Sequence, residues 1–128
     1  MNGIIVVGSN YGDREYNIRQ AISFVDSKCD IKKCSEIYES PDFYGKTTKY
    51  LNVVLEIECQ INEEEINSLF KEYEIRAGRD SERRKKGEVP IDIDIVIWEG
   101  KINRIQDYES LYFIKGYEQI CGSRPKIV

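Results

Sequence analysis

The segment RRKKGEVPIDIDIVIW, residues 83 to 98, sets four cations, Arg83, Arg84, Lys85 and Lys86, a few residues ahead of two aspartates, Asp92 and Asp94. The aspartates alternate with isoleucines, the pattern of a strand whose successive side chains point to opposite faces. On that reading Ile91, Ile93, Ile95 and Ile97 face a core, and Asp92, Asp94, Val96 and Trp98 face the other way. The two carboxylates then stand roughly 6.6 Å apart, at a rise of about 3.3 Å per residue. Like charges so placed repel unless a cation lies between them. Mg²⁺ suits the place, because it commonly takes one or two protein carboxylates and its other oxygens from phosphates. Arg79 and the four cations after it could grip those phosphates, arginine by bidentate contact and lysine as a point charge. The loop that carries them is long and polar, able to close over a substrate. Each half has a plainer explanation, an Asp pair on a solvated sheet face or a charge run in a solvated loop. Their adjacency favours the phosphate and metal reading, as does the placing of two poor strand formers in one strand.

A second group lies upstream. In YLNVVLEIECQI, Leu51, Val53, Leu55, Ile57 and Cys59 share one face, and Tyr50, Asn52, Val54, Glu56 and Glu58 the other. An aromatic and an amide together can bind a flat heterocycle by stacking and edge hydrogen bonds. Taken alone, Asn52 as readily ties down nearby backbone.

The elements that must position these groups follow from periodicity. GIIVVGS is an apolar run ending in glycine, a buried strand. Asp13 caps a helix whose Ile18, Ala21, Ile22 and Val25 recur at helical spacing. IKKCSEIYES is a strand that stops at Pro41, and SPDFYGKTTK is a loop of turn residues. Asn62 and Glu65 resemble a capping box, followed by the stripe Ile66, Leu69, Phe70 and Tyr73, with Gly78 as C-terminal cap. Arg79 to Glu88 is a loop, PIDIDIVIW a strand, and EGKI a turn into a short extra strand. The tail after Arg104 is ambiguous, with DYESLYFI helical in pattern. The order β-α-β-β-α-β is that of the ferredoxin-like fold, an α+β sandwich with an antiparallel sheet, two helices on one face and the other face open.

At 128 residues the chain has the size of one domain, spanning residues 1–128. Its 41% hydrophobic and 33% charged content is that of a soluble globular protein. A net charge of −4 supplies no global attraction for nucleic acid or acidic membranes. A ferredoxin-like sheet that binds RNA shows aromatics on its open face, but Asp92, Asp94, Glu56 and Glu58 would repel phosphates there. No apolar run reaches membrane-spanning length, and MNGIIVVGSNYGDR reads as a strand rather than a signal peptide. The expected setting is the cytoplasm, with no membrane or nucleic-acid partner and a monomer favoured, although the oligomeric state is not readable. The absence of histidine excludes His-based triads. Cys29, Cys34, Cys59 and Cys121 form no metal-binding spacing and are expected to be reduced thiols.

VVGSNYGDR, IYESPDFYG, YLNVVLEI, YEIRAGRD and PIDIDIVIW, in this order over about residues 4 to 105, resemble the 6-hydroxymethyl-7,8-dihydropterin pyrophosphokinase family of folate synthesis. That family has the ferredoxin-like fold. The resemblance implies an ATP-dependent diphosphotransferase, with ATP as donor, the pterin as acceptor and AMP as product. It places two Mg²⁺ ions on Asp92 and Asp94, and Arg79 at the opening of the catalytic loop. Lys71, Glu74, Arg83, Arg84 and Lys85 fall to the nucleotide. Tyr50 and Asn52 match the pterin contacts of the family's Tyr/Phe-Leu-Asn motif. Ser40, Pro41, Asp42 and Phe43 match the loop at the pterin edge, and Phe113 matches an aromatic that sandwiches the ring. The chain departs from the family where a Trp-Gly-Pro-Arg stretch is usual. Lys86 replaces the aromatic, Val89 replaces the arginine, and the usual histidine after the strand is missing. Those departures imply a partly lost nucleotide clamp, which Arg84, Lys85 or Lys86 would make good. They leave open a catalytically weak paralogue that serves as a pterin- or nucleotide-binding module.

Overall fold

The structure, a computed structural model, describes residues 1–40 and 49–126. Pro41, Asp42 and Phe43, with most of the loop expected at 40–49, lie outside the described residues. Strand β1 (Asn2–Ser9) leads into helix α1 (Arg14–Lys28), then β2 (Asp30–Cys34), β3 (Tyr38–Ser40) and β4 (Tyr50–Glu58). Helix α2 (Glu63–Arg76) and the short α3 (Ser81–Lys85) precede β5 (Asp92–Trp98), β6 (Lys101–Ile102), α4 (Ile105–Tyr108) and α5 (Leu111–Cys121). Among the described residues the six strands form one antiparallel sheet in the order β2-β4-β1-β5-β6, with β3 also on β4. This is the expected ferredoxin-like α+β arrangement.

The helix starts follow the sequence. Asp13 accepts from the Tyr16 amide at 3.1 Å, and Asn62 accepts from the Glu65 amide at 2.9 Å. Gly78 adopts φ +106° just past the end of α2, a conformation that costs a side-chain-bearing residue more. Against β1, β4 and β5 the two long helices bury Ile18, Ala21, Val25, Ile66 and Phe70, meeting Ile5, Val7, Val53, Leu55, Ile57, Ile91, Ile93 and Ile95.

Five expectations need correction. The single strand expected at 31–40 is two, because Ser35 interrupts it. Its amide reaches the Val54 carbonyl at 2.9 Å, but its hydroxyl, not its carbonyl, accepts from the Val54 amide at 2.9 Å. The alternation of β5 breaks at Val96. The register runs Ile4 opposite Ile97 but Ile5 opposite Ile95, so Val96 is an extra residue, a β-bulge. Beyond it Trp98 turns into the helix-side core, over Gly3, where a Cβ would come within 2.6 Å of the indole, and Ile97 turns to the opposite face. The other face of the sheet is not open, because α4 and α5 cover it. Tyr108, Phe113 and Ile120 pack there on Val6, Val54 and Val96. The approach of α5 needs Gly116, whose Cβ would stand 2.4 Å from Val54 Cγ2. Part of the Arg79–Glu88 loop is helical, with Asp80 capping Arg83 at 2.8 Å.

The fifth correction concerns the cysteines. Cys29 and Cys59 form a disulfide with Cα atoms 4.7 Å apart, while Cys34 and Cys121 are free and exposed. The register explains it. Asp30 opposes Glu58 in the β2–β4 ladder, so the next residues outward, Cys29 and Cys59, must face each other. No spacing in the sequence announces a contact between residues 30 apart.

Candidate active site

Strand β5 is an edge for half its length. Its pairing with β6 involves only Ile97 and Trp98, so the outward amide and carbonyl of Ile93 meet no strand. Side chains of α2 take their place. Glu74 Oε2 accepts from the Ile93 amide at 2.8 Å, and Lys71 Nζ donates to the Ile93 carbonyl at 2.9 Å. Glu74 continues the buried stripe Ile66, Phe70 at four-residue spacing, and it is only 4% exposed. Such a carboxylate persists in the interior only when paired. Here Arg79 Nη1 holds Oε1 at 2.9 Å and Lys71 Nζ holds Oε2 at 2.9 Å.

The same two cations reach the aspartates. Arg79 Nη1 lies 2.7 Å from Asp92 Oδ1, and Lys71 Nζ lies 3.2 Å from Asp94 Oδ1 and 4.0 Å from Asp92 Oδ1. Arg104 Nη1 approaches Asp94 Oδ1 from another side at 3.8 Å. Its Nε is bonded to the buried Asp107, which also accepts from the Tyr112 hydroxyl. Burial, then the negative charge of Asp92, pushes the Asp94 carboxyl up to about 7. Burial works against ionisation of Asp92 too. There it is outweighed by the hydrogen bond with Asp94 and by the charges of Arg79 and Lys71, which hold the group below its ordinary value. A pair in which one member can ionise only at its neighbour's expense is a pair that calls for a cation. Among the described residues no cluster of three or more Cys, Asp or Glu side chains surrounds an ion position. Two protein carboxylates, with phosphate and water oxygens for the rest, fit Mg²⁺.

The second group lies in line with the first. Gly8 of β1 opposes Asn52 on one side and Asp92 on the other, so Asn52, Gly8 and Asp92 form one row across three strands. At about 4.8 Å between strands, the amide and the carboxylate are rooted some 10 Å apart. Gly8 adds no side chain between them, which lets Asn52 and Tyr50 lean in: a Cβ there would meet Asn52 Oδ1 at 3.1 Å and Tyr50 Cδ1 at 3.4 Å. Asn52 itself is buried, and its Nδ2 donates to Ser40 Oγ at 2.6 Å. Ser40 opposes Tyr50 in the β3–β4 ladder, so strand pairing gathers Ser40, Tyr50 and Asn52 beside Gly8.

The structure thus joins Lys71, Glu74, Arg79, Asp92 and Asp94 in one ionic cluster and sets Asn52 in the row of Asp92, with Ser40 and Tyr50 beside it. It does not bring the other expected residues to the carboxylates. Arg83 stacks on Tyr11, 4.7 Å from the ring centroid, and pairs with Asp80 and Glu88, each at 3.9 Å. Arg84 and Lys85 are exposed on α3. Phe113 is fully buried, its ring 5.6 Å from that of Tyr117 and 6.1 Å from that of Tyr108, so in this structure it is core.

Sequence reasoning missed Gly8, Asn10, Arg104 and Asp107. The signal for Gly8 and Asn10 was GSN at a strand end, where glycine permits close approach and asparagine makes backbone bonds. Asn10 clasps the end of the basic loop. Its Oδ1 accepts from the Val89 amide at 2.6 Å, its Nδ2 donates to the Gly87 carbonyl at 2.9 Å, and its amide donates to the Val89 carbonyl at 2.9 Å. No local pattern pointed to Arg104, which the β5–β6 turn brings back. The groove between α1 and α2, lined by Phe24, Tyr73 and Arg76 among others, contains none of the carboxylates.

A family model described as 7,8-dihydro-6-hydroxymethylpterin-pyrophosphokinase matches residues 4–121. The 2-amino-4-hydroxy-6-hydroxymethyldihydropteridine pyrophosphokinase of Bacillus subtilis (strain 168) is 31% identical over 134 residues, covering 94% of this chain and 80% of that protein. The protein of the same name from Aquifex aeolicus (strain VF5) is 34% identical over 99 residues, 77% of this chain and 61% of its own length. The folic acid synthesis protein FOL1 of Dictyostelium discoideum is 29% identical over 106 residues, 82% of this chain but 16% of that longer protein.

Proposed function

The chain belongs to the 7,8-dihydro-6-hydroxymethylpterin-pyrophosphokinase family, and from that premise we propose that it moves a diphosphate group from ATP to 6-hydroxymethyl-7,8-dihydropterin. The observation that carries the reading is the row Asn52, Gly8, Asp92. It sets a heterocycle-binding amide and a cation-binding carboxylate on either side of a glycine that adds no side chain of its own.

In this reading one domain, residues 1–128, does the work. Tyr50, Asn52 and Ser40 hold the pterin, with residues 41–43 at its edge, and so place its hydroxymethyl group toward Asp92. The hydroxyl oxygen attacks the β-phosphorus of ATP. The bond from that phosphorus to the oxygen shared with the α-phosphate breaks, AMP leaves, and the hydroxyl proton is released. Such a transfer needs positioning and charge neutralisation more than covalent help from the protein. Arg79, which enters the site from the end of α2, takes up charge on the phosphates, and Arg83, Arg84 and Lys85 do the same when the loop folds over. Mg²⁺, held by Asp92 and Asp94, would draw charge from the phosphate oxygens and fix their geometry. No helix among the described residues is long and apolar enough to cross a membrane. We place the chain in the cytoplasm, where ATP is abundant, acting as a monomer without nucleic acid.

The test is Mg²⁺-dependent release of AMP from ATP with the pterin present. Wild type is expected to turn over, and Asp92→Ala and Asp94→Ala to lose at least a hundredfold, since one such electrostatic contact is worth about 3 kcal/mol. Equal rates in all three would sink the role of the pair. Pterin and MgATP binding with no AMP release in wild type would favour the second reading, a binding module. The valine at position 89 and the missing histidine support that alternative.

A further inference from the structure

The position of Lys71 bears on how many metal ions the carboxylate pair can take. An ammonium has three protons to donate. Lys71 Nζ has an acceptor for each, Glu74 Oε2 at 2.9 Å, the Ile93 carbonyl at 2.9 Å and Asp94 Oδ1 at 3.2 Å. Two of the three belong to the frame of the fold, a buried glutamate and a strand backbone, so the charge is fixed by groups that a ligand does not displace. From that place it lies 4.0 Å from Asp92 Oδ1, within reach of both aspartates at once. A cation shared by two carboxylates is the arrangement a bridging metal ion would otherwise provide, and a fixed positive charge repels a second cation at such range. The tally agrees. Glu74, Asp92 and Asp94, with Asp107 beside them, bring four negative charges, and Lys71, Arg79 and Arg104 bring three positive ones, before any ion arrives.

We propose that Lys71 is a built-in counter-cation that takes the place of one of two metal ions, so that this chain binds a single divalent ion, and binds it together with nucleotide phosphates rather than alone. The proposal rests on the reading of Asp92 and Asp94 as the metal-holding pair. Lys71 is here a positioning residue, not a catalytic one.

The experiment counts bound ions. Mn²⁺ is titrated by electron paramagnetic resonance into wild type, Lys71→Gln and Lys71→Arg, first without nucleotide and then with an ATP analogue whose α,β-bridge is a methylene. Glutamine keeps a donor for Ile93 and Glu74 but removes the charge, and arginine keeps the charge. Thermal melts and circular dichroism check that each variant folds. Without nucleotide, Lys71→Gln is expected to bind Mn²⁺ at least tenfold more tightly than wild type, with Lys71→Arg close to wild type. With the analogue, wild type and Lys71→Arg are expected to hold one ion and Lys71→Gln two. Two ions in wild type would overturn the proposal, and so would equal Mn²⁺ affinity of wild type and Lys71→Gln without nucleotide. If the analogue fails to bind any of the proteins, the nucleotide reading falls, and the nucleotide-free titration still decides the role of Lys71.

Discussion

The two ends of the central strand β1 are built by different physics. Near Asn2 the neighbouring strands are held by backbone and covalent bonds. The β2–β4 ladder runs to Asp30 and Glu58, the Cys29–Cys59 disulfide closes it, and the Cys59 amide donates to the Met1 carbonyl at 2.7 Å. Near Gly8 the outer edge of β5 has no strand beside it, and charged side chains take that place. Glu74 and Lys71 satisfy the backbone of Ile93, and Arg79 ties that pair to Asp92. The first end has little that a ligand could exchange. The second is held by groups that metal ions and phosphates compete for, so the same contacts that finish the fold also prepare the chemistry.

The largest expected effect tests whether the ionic end is structural at all. Glu74→Ala leaves the Ile93 amide unsatisfied and two cations short of a partner, and breaking a buried ionic pair by removing one member costs about 3–5 kcal/mol. Urea unfolding should show that loss. A loss under about 1 kcal/mol would mean that water serves the edge as well as Glu74 does.

Next comes the covalent end. Cys59→Ser opens a bridge that spans 30 residues, a loop whose closure is worth about 3–4 kcal/mol in the chain-entropy account. Wild type should lose the same amount under reductant, and Cys34→Ser should lose none. Nucleotide binding, made at the other end of β1, should hardly move. If it weakens in step with stability, the two ends are coupled and the contrast between them fails.

A pH effect separates them further. The folded Asp94 carboxyl is raised to about 7, against about 3.9 in the unfolded chain. The folded state therefore binds a proton more tightly than the unfolded state. By linkage, this group's contribution is fully present below about pH 4, is lost as pH rises through about 7, and is level above that. Melts of metal-free protein should fall across that window, and Asp94→Asn should flatten the fall. Mn²⁺ with nucleotide should reverse it at pH 8, because the ion replaces the proton.

The smallest expected effect concerns the loop. Asn10→Ala removes two side-chain hydrogen bonds, to Gly87 and Val89, at about 1 kcal/mol each. Amide exchange should quicken at Val89 and stay unchanged at Ile93. Uniform quickening would show that the clasp supports the whole molecule instead of one segment.

Much of the contrast was legible in the sequence. Alternation in β4 and β5 gave the face of each residue as far as Ile95, and capping residues gave both long helices. Asp92 and Asp94 stood out because acids are poor strand formers. What could not be read was whatever depends on register between distant segments. The bulge at Val96 reverses Ile97 and Trp98, and no alternating pattern reveals an inserted residue. The meeting of Cys29 with Cys59 and the row Asn52, Gly8, Asp92 are likewise consequences of strand pairing. Alternation could place Asn52 on its face but not name its partner, the Ser40 hydroxyl, which pairing sets within its reach. By resemblance to the family Glu74 is a nucleotide contact. Its place on the buried stripe of α2 shows that it also completes a sheet.

The clasp made by Asn10 touches the chain at Gly87 and Val89 through main-chain atoms alone. On the far side, Arg79 is fixed by its bonds to Glu74 and Asp92. Residues 80 to 86 are thus slung between two sockets, with Arg83 packed on Tyr11 and paired with Glu88 across the join. A foreign insert of the same length grafted between those sockets is expected to leave the melting temperature of the rest of the fold nearly unchanged.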